Sequence, residues 1–148
     1  MKIEFTKEQF ESLLKSVYLG NWVANAHRTD DMIKEYEEIE DYIFSHAKEF
    51  GFDEYVDDEK ADEGKFFPTR IFEEETDIQK LIEEYDEETF WDEIIDRLAS
   101  RDLFRQYSRV ELEKMDGNER MEKLGILEEK WAEEINESGI DRLEVSKK

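Results

Sequence analysis

The sequence predicts an all-α fold, a compact bundle or orthogonal array of about five helices. Three observations carry this. Charged residues make up 43% of the 148 positions and hydrophobic residues 38%, a balance closer to long amphipathic helices than to an average globular chain. Glu outnumbers Asp, 29 to 14, and Glu favours helix interiors where Asp favours caps and turns. Pro68 is the one proline, and apolar stripes of helical period run on both sides of it.

The first helix is expected to start at Thr6, where "TKEQ" has the capping-box pattern with Gln9 reaching back, and to run to about Ala26 or His27. Phe10, Leu13, Leu14 and Val17 form its core face. A second helix is expected after Thr29, with Asp30 and Asp31 favourable at the positive helix end, continuing to about Phe50 before Gly51. The acidic stretch "GFDEYVDDEKADEGKFFPT", a loop over about 51–70, reads as solvated and mobile. "TDIQ" at 76–79 repeats the capping box and opens a short helix carrying Ile78, Leu81, Ile82 and Tyr85. Asp86 is read as the cap of the next helix, over roughly 87–106. Residues 107–115 read as either a helical turn or an irregular connection. Asp116 caps a last helix to about Glu137, and Gly139 stops it. "KIEF" at 2–5 and "RLEV" at 142–145 alternate polar and apolar, as a two-stranded ribbon pairing the termini would. The length suggests a single helical domain over 1–148. Sustained heptads are lacking, which argues against an extended coiled coil.

An α-helix turns about 100° per residue, so positions i, i+3, i+4 and i+7 share a face. On this reading several polar residues fall where apolar ones belong. Continued by period, the core face of the first helix reaches Asn21, Ala24, Asn25 and Arg28, while Leu19, Trp22, Val23 and Ala26 lie opposite. In the second helix Met32, Ile33, Tyr36, Ile39, Ile43, Phe44, Ala47 and Phe50 form the face, and Glu40 lies inside that arc. In "FWDEIIDRLASRD" at 90–102 the stripe Trp91, Ile94, Ile95, Leu98 leads to Asp102, with Arg101 beside it, and Glu93 to Arg97 is a favourable i,i+4 pair. In the last helix Glu128 sits on the stripe of Met121, Leu124, Leu127, Trp131 and Ile135. Asn21, Asn25, Arg28, Glu40, Arg101, Asp102 and Glu128 are therefore the candidate buried polar cluster. The structural alternative is that they cap helix ends, snorkel, or pair as ions, for example Arg28 with Glu40 or Asp102.

Charge narrows the function. The net charge of −22 repels phosphate backbones and anionic membrane faces, which argues against nucleic-acid binding. It suits a basic protein partner or a cation. There are no cysteines, so disulfides, thiolate zinc sites and thiol catalysis are excluded. The start "MKIEFTKEQF" lacks the apolar region of a signal peptide, and no apolar run is as long as a membrane span. The cytoplasm is the expected compartment, so "NES" at 136–138 is a chance sequon.

No phosphate-binding glycine loop, dinucleotide fingerprint or nucleophile elbow occurs. His27 and His46 are the only histidines and neither follows a Glu by three, so the di-iron pattern fails. "DDEKADEG" lacks the spacing of a calcium loop. "KFF" and "TRIF" at 65–72 set aromatics and cations beside Pro68, either as a docking edge or as anchors of the loop on the core.

In two short segments, "EEIE" (Glu37, Glu40) and "EIID" (Glu93, Asp96), the chain resembles the all-α nucleotide pyrophosphohydrolases, which carry Glu-x-x-Glu and Glu-x-x-Asp on neighbouring helices. That resemblance implies a Mg²⁺- or Mn²⁺-dependent hydrolase of a phosphorylated small molecule. Its divalent cation would lie near Glu40, Asp102 and Glu128. The leading expectation is instead a non-catalytic protein-interaction module with no cofactor, acting through its acidic surface on a basic partner.

Overall fold

The computed structural model describes residues 2–144. It is mostly α-helical, at 72%, with six α-helices among the described residues and one small two-stranded antiparallel sheet. The order is α1 (Lys7–Asn25), α2 (Lys34–Phe44), β1 (Val56–Asp57), β2 (Phe67–Pro68), α3 (Arg70–Glu75), α4 (Ile78–Gln106), α5 (Arg109–Lys114) and α6 (Gly117–Ser138). By contacts the chain falls into two compact units, Met1–Glu83 and Glu84–Lys148, with the division inside α4.

In the first unit α1 starts as its sequence dictates. The Thr6 hydroxyl accepts from the Gln9 backbone N–H and the Gln9 side chain accepts from the Thr6 N–H, completing the capping box. α2 is shorter than periodicity suggested. It begins at Lys34 rather than after Thr29, because the Asn25 amide grips the backbone of Ile33 and holds it extended, at φ −85° and ψ 97°. Asp30 and Asp31 therefore precede the helix. α2 also ends at Phe44, and a separate 3₁₀ turn spans Ala47–Phe50. Gly51 closes that turn at φ 77°, a left-handed backbone that suits glycine. Tyr36 and Ile39, read as core-facing, are each 44% exposed.

The acidic stretch is ordered. Short 3₁₀ turns at Asp53–Tyr55 and Ala61–Glu63 flank a hairpin in which Val56 pairs with Pro68 and Asp57 with Phe67. Its apolar side chains explain this: Phe52 and Val56 are buried and Phe66 packs on the core. The small sheet is thus internal to this stretch rather than between the termini. Residues 2–5 and 142–144 carry no strand, and Val145 lies outside the described residues. Thr69 caps α3, a helix the sequence reading missed. Thr76 does not open a capping box; its hydroxyl donates to the Phe72 carbonyl at 2.5 Å and closes α3. The core joins Phe10, Leu14, Phe44, Ala47, Phe52, Val56, Phe72 and Ile78.

In the second unit α4 runs on past Asp86, so that residue is not a cap. Ser108 and Glu111 form a capping box that makes α5 a helix. Asp116 caps α6, and Gly139 follows its last residue. Ala99, Leu103, Leu112 and Leu127 form the core here. Arg97 donates to Glu93 at 2.8 Å, the i,i+4 pair read from sequence. Among the described residues no helix is long and apolar enough to cross a membrane.

Candidate functional site

Three of the seven candidate polar residues meet in the first unit. Asn25, 4% exposed at the end of α1, donates to the Ile33 carbonyl at 3.1 Å and accepts from the Ile33 N–H at 2.8 Å. It also donates to Asn21 Oδ1 at 2.7 Å. Asn21 in turn donates through Nδ2 to Glu40 Oε2 on α2 at 2.6 Å. The chain of amides thus fixes the α1–α2 connection and ends on a carboxyl. Arg28 does not join it: its Nε donates to the Ala24 carbonyl at 2.8 Å and it pairs with Asp31 at 2.6 Å. Within the first unit, the Arg28–Glu40 pair considered from sequence is replaced by these local bonds.

Glu40 is the electrostatic centre. Burial raises its pKa; the Asn21 bond pulls down, and neighbouring Asp41 and Glu37 push up again, leaving it at about 7. It lies in a cleft of about 300 Å³ whose walls include Tyr18, Trp22, Met32, Phe67 and Pro68. The hairpin is moored beside it by Asp41, which accepts from the Phe66 N–H at 3.0 Å. Tyr18 donates to Glu73 at 2.7 Å and accepts from Gln79 at 3.3 Å. Burial and the Glu73 carboxylate raise the Tyr18 pKa, so the phenol stays protonated. Sequence reasoning missed the aromatic wall. Its signal was present in Trp22, on the second apolar side of the first helix, and in "KFFP" beside Pro68.

Arg101 and Asp102 meet in the second unit. Asp102 accepts from Arg101 at 2.9 Å, from Arg105 at 3.5 Å and from the Trp131 indole N–H at 3.0 Å. Partial burial alone would raise its pKa, but Arg101, Trp131 and Arg105 outweigh this and hold the carboxyl below its usual range. The Arg101 guanidinium also lies 5.4 Å from the centroid of the Trp131 ring. This is a structural clasp between α4 and α6. Trp131→Phe keeps the aromatic packing and removes the N–H donor. It is expected to cost about 1.5–3 kcal/mol in urea unfolding, as for one hydrogen bond to a charged group. Glu128, half-buried on α6, has no hydrogen bond or ion pair among the described residues.

The acids named for a cation are thus divided, with Glu40 in the first unit and Asp102 and Glu128 in the second. Asp102 is already engaged by three donors. Among the described residues no group of three or more His, Asp or Glu side chains is placed to hold a metal ion. No protein-family model, curated protein or solved structure matches this chain.

Proposed function

We propose that this chain is a non-catalytic interaction module of the cytoplasm that engages a basic protein partner. The observation that supports this most is its uncompensated charge. With 43 acids against 21 Lys and Arg, one-to-one pairing would still leave a net charge of −22. Such a surface is strained by self-repulsion, which a cationic partner relieves. The candidate polar residues fit a binding role better than a catalytic one. Asn25 and Asp102 are committed to holding the backbone and neighbouring helices. The chemistry of a metal-assisted hydrolase would need a gathered set of acids.

The test is titration of a labelled Lys- and Arg-rich peptide, followed by fluorescence anisotropy against an acidic peptide of equal length. Saturable one-to-one binding is expected, weakening about tenfold as salt rises from about 0.05 M to about 0.3 M. Absence of saturable binding at the lower salt, or binding indifferent to salt, would overturn the reading.

A further inference from the structure

We infer that the cleft around Glu40 receives a single lysine side chain of the basic partner, its ammonium on Glu40 Oε1 and its methylene stem between Trp22 and Phe67. The inference rests on the binding role proposed above and names where one cation of that partner is read.

Three features of the cleft select this occupant. The cleft, about 300 Å³, is at the small end of ligand sites and suits one extended side chain. Its walls bring the Tyr18, Trp22 and Phe67 rings and the Met32 thioether, surfaces that bind alkyl stems and attract cations. Its one carboxyl is Glu40; Tyr18 is turned to Glu73 and Gln79.

The carboxyl also discriminates between lysine and arginine. Asn21 occupies Glu40 Oε2, while Oε1 accepts no hydrogen bond among the described residues. Among the described residues no buried side-chain nitrogen or oxygen lacks a partner, so Oε1 is reached by solvent. A single open oxygen matches the compact ammonium of lysine. It cannot take the two parallel bonds through which an arginine fork earns its advantage. Desolvation beside the rings makes neutralising this carboxylate more favourable than pairing one on the open surface.

The experiment uses the full chain and three probes: the Nα-acetyl N-methylamides of lysine, arginine and norleucine, at equal ionic strength. Binding is read from the ¹⁵N-resolved resonances of the Trp22 indole N–H and the Asn21 side-chain amide. The lysine probe is expected to shift both saturably, with Glu40→Gln weakening it about tenfold or more. Norleucine, matching the stem without the charge, and arginine are expected to bind more weakly. Trp22→Leu provides a second variant that leaves the Asn21–Glu40 bond in place, and it too should weaken the lysine probe. The spectra themselves report whether each variant is folded. Unmoved Trp22 and Asn21 resonances, equal binding by Glu40→Gln, or equal binding of norleucine would overturn the site. Arginine binding as tightly as lysine would overturn the assignment of the occupant. If the basic peptide binds while these resonances stay still, this inference fails and the general reading stands. If the lysine probe binds the cleft but no basic peptide binds, the general reading fails instead.

Discussion

Phe72→Ala is expected to destabilise the first unit by about 3–5 kcal/mol, the range for deleting a buried aromatic ring. Phe72 is fully buried and sits where three other rings converge on it. Phe44 meets it at 5.2 Å and 84°, Tyr18 at 5.4 Å and 62°, and Tyr55 at 5.6 Å and 70°. Each edge-on contact of this kind adds about 0.5–1.5 kcal/mol beyond area burial. The surrounding rings are poorly placed to collapse into the gap. Tyr18 is tethered through its hydroxyl to Glu73 and Tyr55 to Glu11, at 2.7 and 3.4 Å. A cavity that cannot relax puts the cost toward the upper end of the range. Urea titration followed on the Trp22 indole resonance reports this unit directly. Phe67→Ala is the control: that ring is 41% exposed and its removal should cost less than about 1 kcal/mol. Equal losses at the two positions would contradict the packing described here.

How much of the fold could be read in advance follows the range of the interactions that make it. α1 and α6 were legible because their signals are local. Thr6 and Gln9 lie three residues apart, Asp116 precedes the helix it caps, and Gly139 follows its end. α2 was read as starting too early because its start depends on Asn25, eight residues away from Ile33 and across a chain reversal. Two acids before a helix favour its N-terminus electrostatically, but an amide gripping the backbone fixes it geometrically. Asp86 shows the converse error. An aspartate is a good cap only where the chain turns, and in the interior of α4 its modest cost is carried by the helix around it.

The acidic stretch misled for a different reason. Its charges dominate the composition, yet Phe52, Val56 and Phe66 supply enough apolar surface to fold it against the core. Helical periodicity put Asn21, Asn25 and Glu40 on apolar stripes of their own helices, and hydrogen bonds join the three. Periodicity could not place Phe67 and Pro68 beside them, because that neighbourhood depends on the hairpin register and on the Phe66–Asp41 bond across 25 residues. Nor could it separate Asp102 from Glu40. Both are acids on apolar stripes, but one meets two arginines and an indole N–H, and the other meets a single amide. Burial therefore prevails at Glu40 and raises its proton affinity, while at Asp102 the arginines and the indole outweigh burial and lower it.

For Glu40 the consequence is a stability that falls as pH rises. Its carboxyl titrates at about 7 in the folded chain against an ordinary value of 4.5. Below 4.5 both folded and unfolded states hold the proton, and the folded state keeps its full advantage. Between 4.5 and 7 the unfolded chain releases the proton and the folded chain retains it, so the folded state binds more protons and each step up in pH costs stability. Above that window both are ionised and the loss is complete. It amounts to about 3 kcal/mol at most, and less to the extent that the cleft admits water. Other groups press on the same carboxyl: Asp41 and Glu37, both from α2. The net charge of −22 adds a general pH dependence of its own. Comparison with Glu40→Gln removes both complications, since that variant keeps the acceptor for Asn21 and every other charge. The variant is expected to gain on the parent chain steadily from about pH 4.5 to about pH 7.5, measured by urea titration on the Trp22 resonance. A carboxylate engaged in a stabilising ion pair would give the opposite slope, with the variant losing ground as pH rises. A flat difference would mean that Glu40 is hydrated as an ordinary surface acid, and the cleft would then lack the desolvated charge that strengthens its hold on an ammonium.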